Sequence, residues 1–366
     1  MSAQPHSQAA MHMQLFDALL KYSVEAGATD LHLCAGSSPV MRLRSSLVTL
    51  PGTDRVMPEM TLSVTKGLLT EKQFARLEED KTLDFSFSRT GLGRFRSNIY
   101  SQRGTYAIAL RALPFEIPKL SSLGLPPALA QFTQRSRGLI LATGATGSGK
   151  STTLAALLDV INEQNAYHII TIEDPLEYLH RHKKSLVTQR EIGEDAPSFA
   201  SALRAALRED PDVIMVGEMR DAETISIALT AAETGHLVLS TLHTVGAAKS
   251  IDRIIDAFQA GQQNQVRAQL SAVLEGVISQ QLIPRQDKGG IVPACEVMVV
   301  NPAIRNLIRE GKHYQINSVM QTGQAQGMQL LEMDIARLAK SGIISMEEAQ
   351  MRAQDSQLLQ QFLARR

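Results

Sequence analysis

The second half of the chain alternates short apolar runs with longer stretches of helical periodicity. The four apolar runs lie at 139–143, 168–172, 213–216 and 237–241. Short, almost continuous apolar strands separated by helices are typical of a mainly parallel sheet with helices on both faces. We therefore predict an α/β domain, which an all-helical region follows over 301–366.

The first half has a different pattern, with shorter elements and strand-like alternation. After a polar start at 1–12, apolar side chains at helical spacing predict a helix over about 15–24 that ends before Gly27. A second helical stretch is predicted over about 60–79. The predicted strands lie at 30–33, 40–43, 83–88, 94–100 and 105–111. This half is therefore expected to be a small α+β domain that ends in an antiparallel meander.

Prolines mark the change from one pattern to the other. They are Pro114, Pro118, Pro126 and Pro127. Because proline fixes φ and interrupts both helices and sheets, this segment is expected to be a semi-rigid linker. The sequence therefore predicts an N-terminal domain over 1–113, a linker over 114–127 and a second domain over 128–366.

A phosphate-binding loop follows the first apolar run of the second domain. Residues 144–151 read GATGSGKS and fit G-x-x-x-x-G-K-[ST] in full, between a predicted strand and a predicted helix. Backbone N–H groups in such a loop point at phosphate oxygens, which the start of the helix also attracts. The alternative is a glycine-rich turn that binds nothing. The predicted phosphate contacts are Gly144, Ala145, Thr146, Gly147, Ser148, Gly149, Lys150, Ser151 and Thr152.

The loop also indicates which ligands are bound. Lys150 is placed to reach the β- and γ-phosphates, and the Ser151 hydroxyl to bind Mg²⁺. The predicted ligands are therefore ATP and Mg²⁺.

Carboxylates follow two of the predicted strands. Glu173, Asp174 and Glu177 come directly after the second strand, and Glu218 after the third. The carboxyl ends of parallel strands form the ligand-binding edge of an α/β sheet, where a carboxylate can orient or deprotonate a water molecule. Glu218 is expected to hold the magnesium shell, although Gly217 stands where such strands usually carry aspartate. Ordinary solvated acids are the alternative for the first group.

Two histidines bracket the fourth predicted strand. His236 and His243 are seven residues apart, at its two ends. Their position favours a γ-phosphate sensor about as much as it favours two ordinary polar residues.

Composition narrows the class of protein. The 37 basic and 37 acidic residues cancel, which argues weakly against a nucleic-acid motor. Cys34 and Cys295 are the two cysteines, too few for a zinc or disulfide framework, and they fit a reducing cytosol. No apolar stretch is long enough to predict a transmembrane helix, and the first lysine is Lys21, so no signal peptide is expected.

Taken in order, these motifs resemble the type II/type IV secretion ATPase superfamily. The matching segments are the phosphate loop at 144–151, EDPLE at 173–177, VGEMRD at 216–221 and the two-histidine segment at 234–244. Segment 303–310, AIRNLIRE, is similar to the C-terminal signature of the pilus-retraction motors in that superfamily. It is predicted to be a short helix with Ile304, Leu307 and Ile308 on one face and with Arg305 and Arg309 together on a flank. The assembly ATPases usually carry a four-cysteine zinc motif and an extra N-terminal domain, neither of which this sequence predicts.

The resemblance implies a fold and a set of residue roles. It implies a PAS-like N-terminal domain, a RecA-like ATPase domain and a homohexamer with ATP between subunits. By position, Glu177 is the general base, Glu218 the Walker B acid, and His236 and His243 the histidine box, while Glu173 and Asp174 belong to the acidic box. The family also inserts arginines from the N-terminal domain into the nucleotide site. Candidates for this role are Arg96, Arg103 and Arg111, for which an exposed sheet face is the alternative.

The implied function is ATP-driven retraction of type IV pili, and hence twitching motility. The implied partners are an inner-membrane platform protein similar to PilC and a second retraction ATPase, with no nucleic acid. The implied location is the cytoplasm, peripheral to the inner membrane at the pilus base. Three other functions stay open, namely an accessory retraction ATPase, a pilus-assembly or secretion ATPase, and a RecA-like nucleic-acid translocase.

Overall fold

A computed structural model describes residues 4–43, 46–113 and 116–365. The chain divides into two compact units, Met1–Phe115 and Glu116–Arg366, which are described separately. Pro114, the first residue of the predicted linker, lies outside the described residues, as do residues 1–3 of the polar start. Residues 116–127 belong to the second unit, where Leu120 and Leu125 pack against its hydrophobic core.

The first unit is an antiparallel sheet with three helices. Its six strands lie in the order β3-β2-β1-β6-β5-β4, and the core includes Phe16, Leu31 and Phe95. The elements are α1 (Gln4–Glu25), β1 (Asp30–Cys34), β2 (Val40–Leu43), β3 (Ser46–Thr49), α2 (Pro58–Leu68), α3 (Glu71–Asp80), β4 (Thr82–Arg89), β5 (Gly93–Gln102) and β6 (Thr105–Ala112). The predicted α+β unit with its terminal meander is thereby confirmed.

Two predictions about the helices of this unit were wrong. Helix α1 begins at Gln4, so most of the polar start is helical. Its early turns pack on α2, where His12 is buried with Nδ1 3.0 Å from Ser63 Oγ. The single stretch at 60–79 is two helices, because Thr70 caps the second of them. The Thr70 hydroxyl accepts a hydrogen bond from the Gln73 N–H at 3.3 Å, and the Thr70 N–H donates to Gln73 Oε1 at 3.0 Å.

The second unit is built on a seven-stranded sheet in the order β13-β12-β7-β11-β10-β8-β9. The six strands from β12 to β9 are parallel, and β13 pairs antiparallel with β12. All four predicted strands are present. Strands β9, β12 and β13 were not predicted. The strands are β7 (Gly138–Thr143), β8 (His168–Glu173), β9 (Leu186–Glu191), β10 (Val213–Val216), β11 (Leu237–Leu242), β12 (Leu274–Pro284) and β13 (Ile291–Val299).

Helices cover both faces of this sheet, as the α/β prediction requires. The connection from β7 to β8 runs across the sheet toward β9. The later connections, from β9 to β10, from β10 to β11 and from β11 to β12, run in the opposite direction. Because parallel crossovers are right-handed, the helix of the first connection lies on one face and those of the later ones lie on the opposite face. These helices are α4 (Lys150–Gln164), α5 (Phe199–Ala206), α6 (Ala222–Glu233), α7 (Ala247–Asp256) and α8 (Gln263–Val273).

The C-terminal region is helical, as predicted. An isolated antiparallel β-bridge pairs Gln329 of this region with Val297 of β13, and Asp334 Oδ2 accepts from the Cys295 N–H of the same strand at 2.9 Å. Across the described residues, no helix combines the length and the apolar character that a membrane span needs. The helices are α9 (Pro302–Arg309), α10 (Ile316–Thr322), α11 (Leu331–Lys340), α12 (Met346–Arg352) and α13 (Ser356–Ala364).

Candidate nucleotide site

The glycine-rich loop joins β7 directly to α4, which is the predicted context. Gly144 and Gly149 have φ of 142° and 89°, values that strongly favour glycine. A Cβ on Gly144 would lie 2.3 Å from the backbone oxygen of Gln280, and one on Gly149 would lie 2.7 Å from Gln280 Nε2. The loop therefore needs glycine at both positions because β12 presses against it.

Lys150 is folded against the loop that precedes it. Its Nζ donates to the carbonyls of Gly144 and Ala145, both at 2.9 Å, and the residue is 8% exposed. Burial lowers the pKa of Lys150, whereas the carboxylates of Glu177 and Glu218 act in the opposite direction. The cation therefore lies at the loop, in the field of the two acids predicted to act in catalysis.

The next two residues of α4 contact the acidic segment. Ser151 Oγ donates to Glu177 Oε1 at 2.7 Å, and Thr152 Oγ1 lies 2.9 Å from the Tyr178 hydroxyl. Residues far apart in sequence, on α4 and after β8, thus form one wall of the site. Tyr178 is a residue that sequence reasoning missed.

Glu173 has a different role from its neighbours, because it is buried at the end of β8. Its carboxylate accepts hydrogen bonds from Thr171 Oγ1 at 2.7 Å and from Glu177 N–H at 3.3 Å. Burial nevertheless raises the pKa of Glu173 to about 7. Glu173 therefore holds the start of the Glu177 segment in place, whereas Asp174 and Glu177 are exposed.

This burial predicts a pH-dependent stability. The pKa of Glu173 in the folded protein lies above its ordinary value of 4.5. Between these values the native state keeps a proton that the unfolded chain has lost, so the contribution of Glu173 to stability falls as the pH rises from about 4.5 to about 7. The difference in free energy of unfolding between wild type and Glu173→Gln is therefore expected to change by about 1–3 kcal/mol between about pH 5 and pH 7, measured by urea unfolding.

Glu163→Gln is the matched control for that measurement. The hydrogen bond between Glu163 and Lys183 lowers the pKa of Glu163, so the contribution of Glu163 to stability changes only below this pH range. Burial also raises the pKa of Glu296, which leaves part of the fall in both variants. An unchanged slope in Glu173→Gln would show that Glu173 is already ionised at pH 5.

Glu218 follows β10 and is 8% exposed. Its carboxylate contacts the guanidinium of Arg220 and lies 3.3 Å from His243 Nε2. A Cβ on Gly217 would lie 3.3 Å from the Ile172 backbone oxygen, so the end of β8 crowds the position where an aspartate is usual. The structure thus brings Glu218 and His243 together and adds Arg220, which sequence reasoning missed.

The structure does not bring His236 to the same place. His236 precedes β11, whereas His243 follows that strand, so the two histidines lie at opposite ends of β11. The Nδ1 atom of His236 lies 2.9 Å from the Ala231 carbonyl oxygen. Within one chain a strand separates the two histidines, and the predicted role of His236 at a nucleotide site stays a prediction.

The loop, the acids and His243 surround one cavity of about 520 Å³. Its polar lining includes two further residues that the sequence did not single out, His180 and Thr241. Burial lowers the pKa of His180 to about 4, so this imidazole is neutral at pH 7. The predicted site residues that line the cavity are Thr146, Gly147, Gly149, Lys150, Ser151, Thr152, Glu173, Asp174, Glu177, Glu218 and His243.

The donor set fits a phosphate group together with Mg²⁺. Gly147, Gly149 and Lys150 line the cavity, where the loop backbone and an ammonium group can bind a phosphate. Ser151 and Glu218 supply oxygen ligands of the kind Mg²⁺ prefers, and this ion takes most of its other ligands from water and phosphate. The described residues contain no group of three or more His, Cys, Asp or Glu side chains that could hold a metal ion by themselves.

The three candidate arginines lie in the first unit. Arg96 on β5 is paired with Arg111 on β6, and Arg111 Nε donates to Asp30 Oδ1 at 2.8 Å. Arg96, Arg111, Asp30 and Asp84 line a second cavity, of about 310 Å³. Arg103 occupies the β5–β6 turn with φ of 50°. Their predicted role at a nucleotide site stays a prediction.

The segment at 303–310 forms most of α9. Ile304 and Ile308 are fully buried, as the spacing predicts. Arg305 donates to the carbonyls of Ser271 and Ala272, at 2.8 and 2.7 Å, and so caps the C-terminus of α8. Arg309 is exposed. The two arginines therefore have different surroundings, although the spacing places them on one flank.

The chain is similar in sequence and in structure to known ATPases. The family model described as "Type II/IV secretion system protein" matches residues 7–363. The chain belongs to this family. The chain is 47% identical over 337 residues to the type IV pilus retraction ATPase PilT of Pseudomonas aeruginosa, and the alignment covers 92% of this chain and 97% of that one.

Two further comparisons give similar values. A twitching motility protein of Neisseria gonorrhoeae is 49% identical over 305 residues, which are 82% of each chain. The crystal structure of the pilus retraction motor PilT with bound ADP superposes with a TM-score of 0.87 at 49% identity, covering 93% of this chain and 98% of that one. The family resemblance and the fold class predicted from the motifs are thereby confirmed.

Proposed function

We propose that the protein is an ATP-hydrolysing motor that retracts type IV pili. One observation carries the proposal, namely that the loop, Glu177, Glu218 and His243 share a cavity. This cavity lies in a chain similar over 92% of its length to a pilus retraction ATPase. A scaffold that only bound nucleotide would not need carboxylates positioned for hydrolysis.

The roles of the residues follow from their contacts. The loop amides and Lys150 bind the phosphates and neutralise charge as the γ-phosphoryl group departs. Glu177 accepts the proton of the attacking water, whose oxygen forms the new bond to phosphorus while the bond to ADP breaks. His243, next to Glu218, lies where the γ-phosphate can be sensed. When bound, Mg²⁺ would be held by Ser151 and by Glu218 through water, and would stabilise negative charge on the phosphates.

The wider assembly completes the proposal. Six copies form a ring, with Arg96, Arg103 or Arg111 of one copy entering the nucleotide site of its neighbour. The ring acts at the cytoplasmic face of the inner membrane on a platform protein similar to PilC, with or without a second retraction ATPase. The sequence similarity to PilT and to a twitching motility protein supports this arrangement.

The test is a paired count of surface pili and of surface motility in a strain that lacks the protein. Many pili without motility are expected, because pili would still assemble but would not retract. Complementation with wild type should restore motility, and Glu218→Ala should not. Glu347→Ala, which changes an exposed glutamate in the first turn of α12, is the matched control and should restore it.

Other outcomes would point to the alternatives. Cells without pili would indicate an assembly ATPase. Motility that is only weakened would indicate an accessory motor. ATPase activity that rises with DNA and falls with salt would indicate a nucleic-acid translocase. Rescue by Glu218→Ala would contradict a role for hydrolysis.

A further inference from the structure

Gln280 on β12 is a buried polar residue that belongs to none of the recognised motifs. It is 4% exposed, and its side chain reaches the phosphate-binding loop. Its Nε2 donates to the Ser148 carbonyl at 2.6 Å, and its Oε1 accepts from Thr153 Oγ1 at 2.8 Å. The amide therefore joins the loop to the first turn of α4 by two hydrogen bonds.

The loop is built closely around this residue at both of its ends. A Cβ on Gly144 would lie 2.3 Å from the backbone oxygen of Gln280, and one on Gly149 would lie 2.7 Å from the side-chain nitrogen of Gln280. Gln280 is thus close to Gly144 and Gly149, at the two ends of the loop's glycine-rich part, and is hydrogen-bonded to the Ser148 carbonyl between them.

The hydrogen bond to Ser148 determines where one amide of the loop points. In a trans peptide the C=O and the following N–H point in opposite directions. Because Gln280 holds the Ser148 carbonyl toward β12, the N–H of Gly149 points away from β12. This is one of the N–H groups available to a phosphate at the start of α4.

Thr153 fixes the orientation of the glutamine amide. Its hydroxyl donates to Oε1, so Nε2 is the atom left to face Ser148. Neighbouring residues on β12 point to the other face of the sheet, because side chains alternate along a strand. Gln281 Nε2, for example, donates to the Arg352 carbonyl at 3.1 Å, at the end of α12.

We propose that Gln280 is a positioning residue for nucleotide binding, which holds the Ser148–Gly149 peptide in its phosphate-binding orientation. The proposal depends on the proposed function only in that the loop binds nucleotide. It does not depend on pili, on hydrolysis or on a ring.

The test compares Gln280→Met with Gln281→Met. Methionine has a similar volume and removes both hydrogen bonds, and Gln281→Met makes the same change on the opposite face of the same strand. We expect Gln280→Met to raise the Kd for a fluorescent ADP analogue about tenfold, because only about a tenth of the free molecules would then hold the loop in its phosphate-binding orientation. We expect Gln281→Met to leave the Kd unchanged.

Two further measurements separate positioning from simple loss of structure. The Tm without nucleotide should fall by a similar amount in both variants, while the nucleotide-induced rise in Tm shrinks only in Gln280→Met. Thr153→Val should weaken binding less than Gln280→Met. The double variant should be no weaker than Gln280→Met, because the two residues act through one contact.

Equal ADP affinity in wild type and Gln280→Met would overturn the proposal and leave the proposed function standing. Additive effects of Thr153→Val and Gln280→Met would also overturn it. A wild type that binds no ADP would overturn both. Normal pilus retraction without this protein would remove the proposed function alone, because ADP affinity is measured on the purified full chain.

Discussion

Glutamine in place of Glu177 is expected to lower the rate of ATP hydrolysis by about 10²–10⁴-fold, the usual contribution of a general base. Glu177 is exposed at the cavity, where water can reach it, and its Oε1 accepts from Ser151 Oγ at 2.7 Å. The amide of glutamine keeps an oxygen for that hydrogen bond but cannot take a proton from water. Nucleotide affinity should therefore change little. The measurement is kcat from phosphate release, together with the Kd for a fluorescent ATP analogue.

Glu163→Gln is the matched control, since it makes the same change at the far end of α4, where Glu163 pairs with Lys183. Its kcat should equal that of wild type. Near-normal turnover in Glu177→Gln would remove this residue as the base. A larger loss in Asp174→Asn than in Glu177→Gln would move that role to the other exposed acid of the segment.

Alanine in place of Lys150 is expected to weaken nucleotide binding by about 10–100-fold, the range for hydrogen bonds to a charged group. The change removes the one positive charge of the loop and its hydrogen bonds to Gly144 and Ala145. Both losses weaken binding. The lost charge no longer attracts phosphate, and the lost hydrogen bonds no longer hold the loop in shape. Titration with a fluorescent ADP analogue measures the effect.

Lys184→Ala is the control, because that side chain contacts the Gln164 carbonyl and does not line the cavity. Its Kd should equal the wild-type value. Lys150→Arg should recover little affinity. Both carbonyl oxygens lie 2.9 Å from Lys150 Nζ, and the larger, planar guanidinium group of arginine does not fit in the place of this compact ammonium group. A Kd for Lys150→Ala within about twofold of wild type would contradict the assignment of the loop as the phosphate site.

Local pattern was sufficient for the strands that define the α/β core. Four apolar runs, each between a helix and a turn, gave β7, β8, β10 and β11 correctly. The loop could be placed because its glycines and lysine occupy fixed positions between a strand and a helix. In each case the signal lies within a few residues of the feature that it predicts.

Strands β12 and β13 could not be placed in the same way. A buried apolar run has no alternation that distinguishes a strand from a buried helix, and Gln280 and Gln281 interrupt the apolar pattern of β12. The role of Gln280 was also out of reach, because its partners Ser148 and Thr153 lie 132 and 127 residues away. Such contacts depend on which strands become neighbours in the sheet.

The direction in which a side chain points was the other property that could not be predicted from the sequence. Helical spacing put Arg305 and Arg309 on one flank of α9, but Arg305 turns toward the end of α8 and pairs with Glu275 at 2.6 Å. The helix break at Thr70 is different, because the capping pair Thr70 and Gln73 is visible in the sequence. The sequence therefore does contain a local signal for this helix break.

The place of β12 in the sheet sets a lower limit on how short a working piece of this protein can be. A fragment that stopped after α8 would still contain the whole glycine-rich motif, Glu177, Glu218 and His243. It would lack β12, which pairs with β7 directly before the loop. We therefore expect a fragment that stops after α8 to bind nucleotide more weakly than one that extends to Pro284.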